Sequence, residues 1–229
     1  MKHISFIIAS FTLALTFVSC GSSNITRGTN YPKMYEEKPV SILIMPPINN
    51  TQHVEAKEYF YSSLAQPFCE KGYYVVSPFL AFDFLKEESA YDSELFLENN
   101  LSQFKTVFGV DAVLFTIITD WSKSALMGNV SVGIEYVLKS TETNDILFRR
   151  KGNVSVNTGV SSGGGGLVGL AVNLAATAIN TALTDKIIAA RKCNAYVLSD
   201  LPEGVYSTMY GKDSNMTAGP IEFKNINAK

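Results

Sequence analysis

The hydrophobic rhythm of the chain changes several times, and each change predicts an element. Val40-Ser41-Ile42-Leu43-Ile44-Met45 is apolar at nearly every position and ends on Pro46-Pro47, which predicts a buried strand stopped by the prolines. From Val54 to Lys71, positions Ala56, Tyr59, Phe60, Ser63, Leu64 and Phe68 share one helical face. Pro67 should bend that helix near its end, and Gly72 offers a stop. Tyr73 to Val76 reads as a second strand. Ser77-Pro78 opens a short helix to about Lys86, with Ser at the cap and Pro at the first helical position. Asp92 or Ser93 opens another, carrying Leu97, Leu101, Phe104 and Phe108 at spacings of three and four and closed by Gly109. Asp111 to Trp121 gives a third strand.

After Trp121 the period shortens to two. Val130, Val132, Ile134, Tyr136 and Leu138 alternate with Ser131, Gly133, Glu135 and Lys139, the signature of a half-buried strand. Thr141 to Asp145 is a polar turn and Ile146 to Asn157 the returning strand, so this region is an antiparallel hairpin. Strands interleaved with helices, followed by a hairpin, predict an α/β (α+β) domain: a mixed sheet with helices packed on it. Ser161 to Gly166 is a Gly-rich joint, and Leu167 to Cys193 a long Ala-rich helix. A polar stripe runs along it at Asn173, Thr177, Asn180 and Thr184. The tail from Leu201 is rich in turn formers and reads as irregular.

The N-terminus carries a different kind of signal. Lys2 and His3 precede a nearly unbroken apolar run from Ile4 to Val18, too short for the roughly 20 residues of a membrane span and suited to a secretory leader. It ends Phe17-Val18-Ser19-Cys20, a lipoprotein cleavage site with the small residue Ser19 before a lipid-accepting Cys20; Phe17 stands where Leu is usual. The expected layout is a signal peptide at 1–20, a tether at 21–35, one domain at 36–211 and a tail at 212–229. Gly21 and Ser22 follow the cysteine with no Asp to signal inner-membrane retention, so the expected location is the outer membrane, facing the periplasm.

Composition narrows function mostly by exclusion. The net charge of −2 shows no basic footprint for nucleic acid and no polybasic patch for a membrane surface. With Cys20 assigned to the lipid, Cys69 and Cys193 remain. An oxidising envelope permits one disulfide between them, and two separate buried thiols are equally open to the sequence. His53 stands without metal-ligand neighbours or a G-x-S-x-G elbow. Gly163 to Gly166 lacks the Lys and Ser/Thr of a phosphate loop. Asp111, Asp120 and Glu135 are the carboxylates that a hydrolase would need to bring together. No catalytic set, metal site or cofactor is expected. The helix residues Leu167, Leu170, Leu174 and Ala178 are the candidate partner-binding face, because small residues let another subunit approach closely.

Pro46-Pro47-Ile48-Asn49, Gln66-Pro67-Phe68-Cys69-Glu70-Lys71-Gly72-Tyr73-Tyr74-Val75, Phe108 to Leu114 and Leu201-Pro202-Glu203-Gly204-Val205-Tyr206 form an ordered set. It resembles a bacterial lipoprotein family of unknown function that includes a neisserial genome-derived antigen lipoprotein. Val205 departs from the family's more usual Pro, and the tail beyond Gly211 is extended. The resemblance covers about Tyr31 to Gly211. It implies a domain like the N-terminal domain of TolB and the periplasmic core of CsgG-type secretion lipoproteins. It further implies an envelope assembly, secretion or transport accessory with a partner such as a CsgG-like lipoprotein, and it is compatible with a homodimer. It carries over no catalytic residue. An envelope hydrolase and a CsgG-like pore subunit are the alternatives in other classes.

Overall fold

The computed structural model describes residues 25–123, 129–157 and 186–228. Its elements are α1 Arg27–Asn30, α2 Pro32–Glu37, β1 Ser41–Ile44, β2 Ile48–Asn49, α3 Ala56–Glu70, β3 Tyr74–Val75, α4 Pro78–Glu87, α5 Glu94–Leu97, α6 Ser102–Phe108, β4 Ala112–Lys123, β5 Asn129–Ser140, β6 Ile146–Asn157 and β7 Glu222–Ala228. A helix over 186–197, here α7, runs into a 3₁₀ turn at Leu198–Asp200. The strands form one mixed sheet in the order β3-β1-β4-β5-β6-β7, with β2 also on β4. β3, β1, β2 and β4 are mutually parallel, β4-β5-β6 antiparallel, and β7 parallel to β6.

The two textures of the sequence correspond to two kinds of burial. β1 is apolar after Ser41 because both its faces are covered. Ile42 and Ile44 pack with Phe60, Leu64 and Phe68 of α3 and with Cys193 and Val197 of α7 and its end. Leu43 and Met45 pack with Ala81 and Leu85 of α4 and Phe104 of α6. β5 alternates because α7 covers one of its faces. Val130, Val132, Ile134, Tyr136 and Leu138 are buried on that face, while Ser131 and Glu135 are not. The Tyr136 hydroxyl donates to Asn194 Oδ1, and Asn194 Nδ2 donates to Ser63 Oγ at 2.9 Å, tying β5, α7 and α3 together in the core. The hairpin is therefore built into the sheet interior, flanked by β4 and β7, and its apolar face faces protein.

Several boundaries differ from those expected. The tether expected at 21–35 is folded from Thr26 onward: Thr26 bridges to Thr217, and Arg27 is buried against Asp213 at 3.1 Å and the Ser199 carbonyl at 2.9 Å. The tail expected to be irregular at 212–229 supplies Asp213 to that ion pair and forms β7 on the edge of β6. The helix expected from Asp92 or Ser93 to Phe108 is broken in two. Ser93 donates its hydroxyl to the Pro46 carbonyl instead of capping, and Asn100 Oδ1 accepts from Ser102 N at 2.7 Å to restart the chain as α6. The helix expected at 167–193 lies mostly outside the described residues; its visible end continues past Cys193 to residue 197.

Candidate functional site

Where β1 ends, the chain does not leave the sheet. Pro46-Pro47 interrupts it, and β2 resumes on the same neighbour, β4. A proline there costs little, because its missing N–H would point toward β3, and β3 is only two residues long. From the adjacent C-terminal ends of β1 and β3 the connections diverge. β2 leads to α3 on one face, and β3 leads to α4 on the other. Adjacent parallel strands whose connections part in this way leave a crevice at their carboxyl ends, the usual ligand position in α/β sheets.

The crevice is a groove of about 700 Å³ between α3 and α4. Pro46, Pro47 and Pro78 form its floor. Tyr61 and Ala65 of α3, Phe79 and Phe82 of α4, and Tyr91 form its walls, with Lys57 and Glu58 at the rim. Tyr61 is the strut: its hydroxyl donates to the Pro78 carbonyl at 2.7 Å, and its ring lies 6.0 Å from that of Phe82. Burial pushes the Tyr61 phenol above its ordinary pKa, so it stays a neutral donor across the physiological range. Phe79 is 72% exposed, and Leu80, on the same helix, 66%. The lining offers apolar surface and few titratable groups, which suits binding more than bond-making.

A signal for the groove is present in the sequence, although the helix-by-helix reading passes over it. Pro78 to Glu87 reads PFLAFDFLKE, apolar in every helical phase, yet the core takes only Ala81 and Leu85 in full. Phe79 and Leu80 are surplus to the fold, while Phe84 sets its ring on Phe108 at 5.2 Å.

The residues singled out from sequence lie elsewhere. Cys20, Ser19 and the helix face Leu167, Leu170, Leu174 and Ala178 fall outside the described residues, as does the Gly-rich joint. Cys69 and Cys193 are both free thiols, not a disulfide. Cys69 is on the exposed side of α3, and Cys193 is fully buried from α7, with burial holding its thiol protonated. His53 is an exposed loop residue 4.0 Å from Glu55.

Asp111, Asp120 and Glu135 do not converge. Asp111 and Asp120 lie nine residues apart along β4, on the order of 30 Å at strand rise. Asp111 is structural. Burial works against its charge, but Lys105 Nζ at 2.5 Å and the Ser41 and Val40 amides, each at 3.0 Å, hold its carboxyl below its ordinary pKa. Glu135 is paired with Arg149 at 2.6 Å. Among the described residues no group of His, Cys, Asp and Glu is arranged to hold a metal ion, and no helix is long and apolar enough to cross a membrane.

A second cluster is assembled from distant parts of the chain. Gly204 packs so closely on Gly72 that a Cβ on Gly204 would sit 2.7 Å from the Gly72 carbonyl carbon. Gly204 N donates to the Lys71 carbonyl at 2.7 Å and the Tyr73 hydroxyl to that of Pro202, also at 2.7 Å. Glu203 accepts from Lys71 at 2.7 Å beside Arg27. The Glu70-to-Val75 and Leu201-to-Tyr206 motifs are thus one interlocked unit, and its role is in the fold.

A mixed sheet with helices on both faces of its parallel half, carrying an apolar crevice and no converged carboxylate set among the described residues, defines the class: a mixed α/β domain with a binding crevice. The family described as "Putative lipoprotein GNA1162-like" matches residues 29–206, and the chain belongs to it. A similar protein is "Putative lipoprotein NMB1124/NMB1162" of Neisseria meningitidis serogroup B, 25% identical over 169 residues that cover 74% of this chain and 79% of the relative. Two solved structures are also similar. Lipoprotein GNA1162 from Neisseria meningitidis is 23% identical with a TM-score of 0.47, covering 64% of this chain and 99% of that one. The PelC dodecamer from Paraburkholderia phytofirmans is 14% identical with a TM-score of 0.37, covering 72% and 90%. Membership of a lipoprotein family implies a membrane-anchored place in the cell envelope.

Proposed function

We propose that this chain is a lipid-anchored lipoprotein of the outer membrane, facing the periplasm, and that it works as a non-enzymatic accessory in envelope assembly, secretion or transport. The observation that carries the proposal is the apolar groove at the carboxyl ends of β1 and β3, whose wall residues Phe79 and Tyr91 are solvent-exposed. Cys20 supplies the anchor and the groove the binding surface. The partner is a second envelope protein, of which a CsgG-like lipoprotein is the example that the family resemblance implies; a homodimer is the other arrangement compatible with that resemblance. A hydrolase has no support from the placement of Asp111, Asp120 and Glu135. A pore hairpin has none from strands locked inside the sheet.

Crosslinking with mass spectrometry on intact cells, comparing the native protein with Cys20→Ser, tests the proposal. The expected result is an envelope protein crosslinked to the native chain and lost or strongly reduced with Cys20→Ser. Recovery of no envelope partner, or an undiminished crosslink from the unanchored form, would overturn it.

A further inference from the structure

The groove has a charge environment of its own. Between positions 83 and 98 the chain carries Asp83, Glu87, Glu88, Asp92, Glu94 and Glu98 against Lys86 alone, while the net charge of the whole chain is only −2. All six acids are exposed, and among the described residues none of them is in an ion pair.

Some carboxylates elsewhere are matched. Glu36 and Asp145 share Lys33, Glu135 has Arg149, and Glu222 has Lys151. Among the described residues Glu70 and Glu142 are also exposed without an ion pair, but they stand singly, whereas the run on α4 and α5 lies beside exposed apolar surface. Asp83 is one helical turn from Phe79 on the groove side of α4, Asp92 follows the wall residue Tyr91, and Glu58 stands on the opposite rim. On the far side of α4, Phe84, Val107 and Phe108 line a second apolar depression of about 360 Å³ that also includes Glu88. The surface therefore pairs an apolar floor with a surround that is acidic on balance, Lys57 being the cation at the groove rim and Lys86 the one within the acidic run.

We infer that the groove takes a cationic amphipathic segment of the partner protein, its apolar face seated between α3 and α4 and its Lys or Arg residues on the acidic rim. This rests on the partner-binding function proposed above and specifies the chemistry of the partner. An apolar groove selects an amphipathic chain by its spaced anchors. The unpaired rim selects the sign of the flanking charge, steering cationic partners in and like-charged ones away. An anionic lipid surface is disfavoured by the same repulsion.

The full-length protein in detergent is titrated with a fluorescent helical peptide of roughly 14 residues made of Leu and Lys, and with its Leu/Glu counterpart. The Leu/Lys peptide should bind and the Leu/Glu peptide should not. Phe79→Ser, at a largely exposed position, should weaken binding about tenfold. Asp83→Lys with Glu87→Lys should weaken it by at least as much and raise affinity for the Leu/Glu peptide. Glu36→Lys, remote from the groove, should leave both unchanged. Equal binding of the two peptides, indifference to Phe79→Ser, or binding of anionic phosphatidylglycerol vesicles lost on Phe79→Ser would overturn the inference.

A photoreactive residue at Ser62, on the groove wall, gives the cellular counterpart. The peptide it captures should come from an envelope protein, carry net positive charge and show helical apolar spacing. An acidic or neutral peptide, or a second copy of this chain, refutes the cationic segment while the partner-binding function stands. Failure to recover any envelope partner in the Cys20 comparison refutes that function itself.

Discussion

Arg150 is the most heavily committed buried charge in the described structure, and its replacement by Met should be among the costliest single changes. The side chain is 2% exposed. Its guanidinium donates to the carbonyls of Val197 at 2.7 Å, Tyr196 at 3.2 Å and Pro220 at 3.3 Å, and lies 3.5 Å from the Asp200 carboxylate. The rings of Tyr196 and Phe223 lie 5.4 and 5.3 Å from its Cζ. Met fills much of the same volume, so the cavity contribution is small. What remains is an Asp200 stripped of its cation and holding only the Gly219 amide at 2.6 Å, plus the Val197 and Pro220 carbonyls without the guanidinium donor; the Tyr196 carbonyl keeps the Ser199 hydroxyl at 2.7 Å. Breaking a buried pair on one side costs about 3–5 kcal/mol. For a domain of this size that lowers Tm by on the order of 10 °C. Thermal and urea unfolding of Arg150→Met measures it. Hydrogen exchange should show β7 amides losing protection first, because Pro220 and Phe223 bring that strand to β6. Asp200→Asn added to Arg150→Met should cost less than the two changes summed, since it removes the stranded charge. A loss under about 1 kcal/mol, or strict additivity of the two substitutions, would refute the reasoning.

Two further changes test the frame around the site. Gly204→Ala drives a methyl into the Gly72 carbonyl and must part the Gly204 N to Lys71 and Tyr206 N to Gly72 hydrogen bonds, at 2.7 and 3.0 Å. Urea midpoints should report a loss of about 2–4 kcal/mol, and an unchanged midpoint would show that the two turns do not interlock. Asp111→Asn should cost about 1–2 kcal/mol at neutral pH through its lost charge-assisted bonds. The folded carboxyl titrates below its unfolded value, so the wild-type advantage is full above the unfolded pKa of about 3.9 and drains away as pH falls through the lower folded value. An advantage that grew with acidification would contradict that sign.

The elements with strong local periodicity were legible from sequence, and the ones held by distant partners were not. The hairpin appears at the expected residues because its alternation and its polar turn are both local signals. α3 likewise carries its apolar face and its Gly72 stop within one segment. β7 has no such signature. It is a strand because β6 offers it an edge and because Arg150 holds Pro220 and Phe223 in place, neither of which is visible in residues 222–228 alone. The same holds for Arg27, which looks like a tether residue until Asp213, 186 positions away, arrives beside it. The break between α5 and α6 falls at residues 98–101, where Asn100 Oδ1 accepts from Ser102 N at 2.7 Å beneath an apolar period that runs straight across it. The site was half legible. Both Pro46-Pro47 and Ser77-Pro78 stand out in the chain, but only the sheet topology shows that they floor one crevice.

The earlier start of the fold also changes what an anchor at Cys20 would do. With Thr26 already bridged to Thr217, at most the residues between Cys20 and Ile25 can act as spacer. Five residues fully extended reach no more than about 18 Å, half of what a spacer of ten residues would give. A lipid on Cys20 would therefore hold α1 and the Arg27–Asp213 pair close to the bilayer and prevent the domain from ranging freely away from it. The groove lies at the carboxyl ends of β1 and β3, whereas Arg27 meets Lys71 on Glu203 just before β3 begins, so under such an anchor the groove would sit at the strand ends opposite the anchored α1.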